Sequence, residues 1–565
     1  MCVVLRSGAR QLEAARRFSI DSSVCAAAPR RVPYRFREEA DGHIILPQGR
    51  SLTRTAAPQC ARALAPLAVN TDPEPLADMR RSRRIHAERH CNPQNPQHEW
   101  AAMTSEILID VMILGAGGGG YPAAFRLAAA GLEVVLVDPF GNLGGDCLAQ
   151  GCVPSKAVRE AALARAAARK FGLFGLHGAQ PEVDWAGVLR HKDRVQALRY
   201  AQHRLEIDAA NFTFLEGRGR ILDERRVEVS TSAGEVLRYN ARYLIIATGS
   251  RPHRLAIAGA ELAVTSHEFF RLHADLPFPT RLITIGGGYI GLETASMLES
   301  LGVETVVLEA APQVLPGADP GIAAFVHERL AERLTLCTDA NVTRLSREPG
   351  GSVRVHYTAG SEERSEVADC VLMASGREAV LPQGIEAIGL RGNGPIAVDS
   401  RLRTALPHVY APGDVNGRSM LFHSALCQSW IAAGDILGAA RPTEQMNFAA
   451  VPFTVFTDPE VAWVGLSEAQ ATRDGIGAAA VLYDYRNDAR AQIFAETHGF
   501  IKLVFATATG QLIGAQVAGL DAAQLIAPLA LAVHARTTAA QLRTMAFPHP
   551  MLSEGINKAA RAFKA

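Results

Sequence analysis

The sequence predicts an α/β fold built on two copies of one strand, glycine turn, helix and strand unit, and three observations carry that prediction. Ile107 to Leu114 (ILIDVMIL) is the near-continuous apolar run of a buried parallel strand, followed by GAGGGG with glycines at Gly115, Gly117 and Gly120. Residues 281 to 309 repeat the arrangement: strand RLITI, Gly286, Gly288 and Gly291 in GGGYIGLE, a helix, and strand TVVLE. In each copy an acid, Asp138 or Glu309, ends the second strand 23 residues after the first glycine.

Each part of the unit has a physical job. The glycines permit a tight turn and close backbone approach to a pyrophosphate, the helix N-terminus supplies N–H donors, and the acid can bind ribose hydroxyls. A single glycine fingerprint is weak, because such turns occur without ligands; two complete units in one chain are strong and imply two dinucleotides. Glu309 is followed by Ala310, Ala311 and Pro312, with no Arg to meet a 2′-phosphate, so the second unit favours NAD over NADP.

Just after the first unit, Gly144 to Lys156 reads GGDCLAQGCVPSK and carries Cys147 and Cys152. Five residues of regular helix separate Cα atoms by about 7.5 Å along the axis, beyond the roughly 4.4 to 6.8 Å that a disulfide tolerates, so the pair does not sit on one undistorted helix. Gly144, Gly145 and Gly151 predict a tight loop, and Pro154 suits a first helical position, which puts Cys152 at a helix N-terminus. There the macrodipole favours a thiolate. Taken alone, the spacing leaves a structural thiol pair or two free buried cysteines ahead of a redox role; the adjoining nucleotide unit reverses that order.

Composition narrows the classes. Net charge is +1 and 48% of the 565 residues are hydrophobic, so neither a nucleic-acid footprint nor a strongly acidic partner is expected, and no apolar run approaches a membrane span. Nine cysteines, an odd number without framework spacing, argue against a secreted disulfide scaffold and for a reducing, cytoplasmic setting. Residues 1 to 102 hold 16 Arg, no Lys and 10 acids. This segment lacks a sustained period and has the composition of a disordered extension. Its acids, including Glu38, Glu39 and Asp41, argue against a transit peptide, and Met103 is read as the functional start.

Further motifs lie downstream: ATGSRP (Ala247 to Pro252), GR at Gly376, YAPGDV (Tyr410 to Val415), TDPEVAWVG (Thr457 to Gly465) and HPMLSE (His549 to Glu554). With the glycine and cysteine motifs, and in this order, they make residues 105 to 565 resemble the dihydrolipoamide dehydrogenases, within the flavin-dependent pyridine nucleotide-disulfide oxidoreductases. The resemblance implies two Rossmann-like domains plus a C-terminal α+β dimerisation domain. It divides the chain into an extension (1–104), an FAD-binding domain (105–256), an NAD-binding domain (257–376), a return segment of the FAD domain (377–446) and an interface domain (447–565).

Carried over by position, the resemblance puts FAD on Gly115, Gly117, Gly120, Asp138, Lys156, Gly219, Thr248, Gly249, Asp414, Met420, Leu421, Phe422 and His423. It puts NAD on Gly286, Gly288, Tyr289, Gly291, Glu293, Glu309 and Gly376. Cys152 would touch the flavin, and Cys147 would meet the dithiol substrate as the other half of a redox disulfide. Lys156 and Glu293 would face the flavin's reactive edge, with Tyr289 covering the nicotinamide pocket. His549 would be the acid-base, oriented by Glu554 and reaching the disulfide of the other subunit of a homodimer.

The residues of the last motif agree. Pro550 biases His549 away from helix and can start the helix that bears Glu554, leaving an exposed imidazole with a carboxylate partner. The implied reaction is oxidation of protein-bound dihydrolipoamide with reduction of NAD, the partner being the lipoyl-bearing protein of a 2-oxoacid dehydrogenase, glycine cleavage or related complex. Asp146 stands where Thr is common in the family, Asp138 where Glu is usual, Ser429 where Gly is expected, and Phe547 and Met551, beside the base, where His and Thr are typical. A mercuric reductase-like enzyme is the alternative, but no metal-capturing cysteine follows Cys427 and no metal site is expected. A glutathione reductase-like enzyme would want NADP determinants after Glu309.

Overall fold

Parallel pairing of Ile107–Leu114 with both Val134–Asp138 and Val236–Ile246 forms the centre of the first sheet in the computed structural model. The structure describes residues 106–564 except 393 and 439–443, together with two short strands, Ile44–Ile45 and Ser51–Leu52, that pair antiparallel. Apart from those strands, the expectations for residues 1–104 lie outside the described residues.

Six strands make the first sheet in the order Val409–Tyr410, Val236–Ile246, Ile107–Leu114, Val134–Asp138, Thr213–Ile221 and Arg226–Thr231. Val111, Met112 and Ile113 have no exposed surface: Val111 and Ile113 pack under helices, Met112 among Ile221, Val229 and Ile385 on the other face, so both faces of the strand are core. Helix Tyr121–Ala129 packs against helix Phe422–Ile436. There the buried Ser429 hydroxyl accepts the backbone N–H of Ala123 at 3.0 Å, satisfying a first-turn donor that the helix itself leaves unpaired.

A second parallel sheet has the order Thr335–Cys337, Glu304–Leu308, Arg281–Ile285, Cys370–Met373, and a three-stranded antiparallel sheet spans residues 340–368. The chain returns to the first sheet through strand Arg377–Ala379, which pairs antiparallel with Ser250–Pro252. Residues 453–518 form a five-stranded antiparallel sheet backed by helices Ala522–His534 and Glu554–Ala562, with Tyr485, Ile501, Leu503 and Phe505 fully buried between. The α/β class with a C-terminal α+β domain is what the structure holds.

The two nucleotide units match in atomic detail. Gly115 and Gly286 have φ of 105° and 110°, a region that disfavours a side chain. A Cβ on Gly120 would fall 1.8 Å from the Gly115 carbonyl oxygen, and one on Gly291 2.0 Å from that of Gly286, so helix and turn can approach only without side chains. Asp138 accepts from Ala116 N at 2.7 Å and Phe140 N at 2.8 Å; Glu309 accepts from Gly287 N at 2.6 Å and Ala311 N at 2.7 Å. Each acid therefore holds its own turn, a duty the spacing alone did not reveal.

Candidate active site

Cys147 and Cys152 lie on two consecutive helical pieces. Gly144 and Gly145 both have positive φ, and Gly145–Ala149 then forms a single helical turn rather than the expected loop. Glycines there set the chain's entry into the turn instead of preventing helix. The chain breaks at Gln150 and Gly151, and helix Cys152–Ala167 begins at Cys152 itself, two residues before Pro154. Gly145 rests on the first glycine turn: a Cβ on it would come within 2.8 Å of Gly117 Cα.

Both cysteines are free thiols in side-chain hydrogen-bond contact. That bond and burial push the Cys147 thiol far up. The Cys152 thiol is held below its ordinary value because it accepts the bond from Cys147 and, against burial, because Lys156 adds a positive charge one helical turn away. Of the two, Cys152 is the one poised toward thiolate.

Around it opens a cavity of 540 Å³. Gly115, Gly117, Asp138, Gly219, Thr248, Gly249, Asp414, Met420 and Phe422 line it with both cysteines, Lys156, Glu293 and Tyr289. Lys156 Nζ donates to Glu293 Oε2 at 2.6 Å and lies 4.4 Å from the Phe456 ring centroid, while Glu293 Oε1 accepts from Phe456 N at 2.9 Å. Burial pushes the carboxyls of Asp138 and Asp414 up. Ser250 Oγ donates to Asp414 at 2.5 Å.

A second cavity of 670 Å³ is lined by Gly286, Gly288, Tyr289, Glu309, Gly376 and Leu421. Tyr289 and Arg377 line both cavities, so they stand at the junction between them. Burial pushes the Tyr289 hydroxyl well above its ordinary value, keeping it neutral. Gly120 and Gly291 pack beneath their turns, outside both linings, and His423 turns its Nε2 to the Pro452 carbonyl at 2.8 Å.

The residues fit two dinucleotides. An added Cβ at Gly117 or Gly288 would meet no atom closer than 3.9 Å, so backbone at each turn faces open cavity beside a helix N-terminus.

His549 and Glu554 come together as expected, with Nδ1 2.9 Å from Oε2, but outside either cavity lining; the imidazole is 72% exposed. A carboxylate only accepts, so the shared proton sits on Nδ1 and Nε2 is left as a proton acceptor. Although burial opposes it, the His549 contact holds the Glu554 carboxyl below its usual range. Pro550 does not start the helix: residues 549–553 form a turn and Glu554 is the first helical residue, its N–H bonded to the Met551 carbonyl at 3.1 Å.

Sequence reasoning missed Arg377, His267 and Gln150. Arg377 Nη2 donates to Asp146 Oδ2 at 2.6 Å, and its Nε donates to Ser250 Oγ at 2.8 Å. His267 Nε2 lies 2.7 Å from Asp146 Oδ1, and Gln150 Nε2 is 3.0 Å from His267 Nδ1. The signal for Arg377 was its place after Gly376 in the GR motif; His267 has no local signal. Among the described residues no helix is long and apolar enough to cross a membrane.

Comparison with known proteins places this geometry. Residues 109–429 match the family of pyridine nucleotide-disulphide oxidoreductases, and residues 451–560 match the dimerisation domain of the same family. The chain is 33% identical over 449 residues to a dihydrolipoyl dehydrogenase of Geobacillus stearothermophilus, covering 79% of this chain and 94% of that protein. A glutathione reductase of Burkholderia cepacia is 34% identical over 455 residues, covering 79% and 97%. Among solved structures, LpdA from Mycobacterium tuberculosis matches with a TM-score of 0.74 at 28% identity, over 81% of this chain and 100% of that one. The flavoprotein disulfide reductase RclA from Escherichia coli, a Cu(II) complex, matches at 0.71 with 26% identity, over 81% and 99%. The chain therefore belongs to the pyridine nucleotide-disulphide oxidoreductases, enzymes that use FAD and NAD(P).

Proposed function

We propose that this enzyme is a dihydrolipoyl dehydrogenase, a homodimer that oxidises protein-bound dihydrolipoamide to lipoamide and reduces NAD. The unequal poise of Cys147 and Cys152 carries the reading. In a Cys147–Cys152 disulfide the sulfur whose thiol has the lower pKa leaves faster, so an incoming thiolate attacks Cys147 and expels Cys152 as thiolate. The substrate's second thiol then attacks the mixed disulfide, releasing the cyclic disulfide product and leaving Cys147 with one proton. The dithiol is oxidised by two electrons and gives up two protons, one of which His549 Nε2 accepts while Glu554 steadies the imidazolium.

Bound FAD supplies the two-electron relay from the reduced thiols to the nicotinamide. Lys156, fixed by Glu293, holds positive charge beside the Cys152 thiolate. The glycine turns hold the two pyrophosphates, and Tyr289 covers the junction through which the nucleotide ring reaches the first cavity.

NAD rather than NADP is supported by Glu309, which a 2′-phosphate would face and which Ala310, Ala311 and Pro312 follow with no Arg in that turn. His549 belongs to the fold matched to the dimerisation domain and lies outside its own chain's cavity, which supports action on the second subunit's cysteines. The odd cysteine count supports a reducing, cytoplasmic setting. The test is anaerobic turnover of purified holoenzyme with dihydrolipoamide and NAD, set beside NADPH with glutathione disulfide and NADPH with mercuric ion. Turnover with dihydrolipoamide far above the others is expected; faster reduction of glutathione disulfide or mercuric ion would overturn the assignment.

A further inference from the structure

We propose that Asp146 is a positioning residue of the redox pair: its carboxylate, clamped between Arg377 and His267, keeps a negative charge next to Cys147 and weights the pair toward the disulfide. This rests on the reading of Cys147 and Cys152 as the redox couple and adds a residue outside its chemistry.

The clamp is three-sided. Arg377, only 10% exposed, donates to Asp146 at 2.6 Å and is pinned from behind by Ser250 through Oγ at 2.8 Å and the carbonyl at 3.1 Å. His267 Nε2 lies 2.7 Å from the other carboxylate oxygen, close enough to face it though not in ideal hydrogen-bond alignment. Gln150 Nε2 reaches His267 Nδ1 at 3.0 Å, which puts the ring hydrogen on Nε2, facing the carboxylate. Two other elements hold the Asp146 side chain, strand Arg377–Ala379 and helix Ser266–Phe270, while Asp146 itself stands on the helical turn that bears Cys147.

The charged and titratable groups around the thiols sort into two pairs. Lys156 is paired with Glu293 at 2.6 Å, and Arg377 with Asp146 at 2.6 Å; Asp414 and Tyr289 line the same cavity, Tyr121 faces Cys147, and His267 lies behind Asp146. Although burial opposes it, His267 and Arg377 hold the Asp146 carboxyl below its usual range, so it stays ionised where the enzyme works. Its charge acts against thiolate at both cysteines.

Reduction of the disulfide breaks the S–S bond, takes up two electrons and one proton, and leaves a thiol at Cys147 and a thiolate at Cys152. With Asp146 neutral, the negative charge that opposes the thiolate is gone and Arg377 loses its ion-pair partner. The reduced pair gains stability, and the couple becomes more oxidising.

Holoenzyme variants Asp146→Asn, Asp146→Thr and Asp146→Glu test this after anaerobic two-electron reduction with NADH. The readouts are the pH midpoint of the thiolate-to-flavin long-wavelength absorbance and the equilibrium of the dithiol against the NADH/NAD couple. The absorbance fades as pH falls through the Cys152 pKa. Both neutral variants should lower that midpoint by about one unit, a tenfold change in proton affinity. Their dithiol equilibrium should move about tenfold toward the reduced pair, about 30 mV, while Asp146→Glu stays near wild type. Two neutral side chains of different shape guard against a fold failure in one. Neutral variants with wild-type midpoints and equilibria, or a Glu variant shifted as far as they are, would overturn the proposal. Absence of the absorbance in reduced wild type would instead sink the redox-pair reading on which it rests.

Discussion

Lys156 Nζ and Glu293 Oε2 stand 2.6 Å apart, joining residues 137 positions distant in the chain. Lys156 sits one turn into the helix that begins at Cys152, and Glu293 sits one turn into the helix that follows the second glycine turn. The pair therefore ties the thiol-bearing helix to the nicotinamide-nucleotide unit, and Phe456 N fixes the far carboxylate oxygen at 2.9 Å.

The bridge has a signed consequence at Cys152, where Lys156 acts to lower the thiol pKa and Glu293 to raise it. Lys156→Met should move the pH at which the thiolate absorbance is lost upward, by about one unit for loss of a nearby charge. Glu293→Gln should move it downward. Spectral titration of the two reduced holoenzymes checks this, and shifts in the same direction would mean that packing, not charge, links the bridge to the thiol.

The glycine turns make a separate prediction. A Cβ at Gly291 would lie 2.0 Å from the Gly286 carbonyl oxygen, while the first turn is untouched. Gly291→Ala should keep its flavin and its reduction by dithiol but lose NADH-driven flavin reduction by about a hundredfold, the effect of losing ~3 kcal/mol of nucleotide binding. Gly120→Ala, with 1.8 Å to the Gly115 oxygen, should fail to retain flavin. Stopped-flow reduction with NADH and with dithiol separates the two effects.

What the sequence made legible was local. The two glycine turns, their acids and the His549–Glu554 pair are set by short spacings, and all appear where expected in the chain. The clamp on Asp146 was not legible, because its arginine lies 231 residues away and only strand Arg377–Ala379 returning to Ser250–Pro252 brings it back. Cys152 stands at a helix N-terminus as expected, with Gly151 before it, whereas Pro550 is compatible with a first helical position but the 549–553 turn delays the helix to Glu554. The two acids were read as ribose ligands alone, since a spacing argument does not show that their oxygens first satisfy the buried N–H groups of the turn.

That double duty bears on nucleotide choice. Glu309 spends both oxygens on Gly287 and Ala311 and still lines the second cavity, so its charge is fixed in place. The wild-type enzyme should use NAD at least about tenfold better than NADP, a difference of ~1.4 kcal/mol. Glu309→Ala should narrow that ratio while lowering efficiency with NAD, because removal leaves two backbone donors unpaired. Steady-state kcat/KM for both nucleotides tests it; equal use of the two by wild type would remove the carboxylate argument.

The last prediction joins chemistry to assembly. His549 is 72% exposed, paired to Glu554, and outside the lining of the cavity that holds Cys147 and Cys152 in its own chain. His549→Ala should slow the dithiol half-reaction by roughly a hundredfold or more, the scale of a lost acid-base group, and largely spare NADH-to-flavin transfer, which needs no proton acceptor at sulfur. Glu554→Gln should slow the same half-reaction less, because the base remains and only its orientation and imidazolium stabilisation weaken. Mixing Cys147→Ser with His549→Ala subunits then distinguishes action within one chain from action across two. In a verified heterodimer a base acting in trans leaves one site with both Cys147 and His549 intact and restores up to half of wild-type activity. A base acting in cis leaves no complete site, and such heterodimers would stay as slow as their parents.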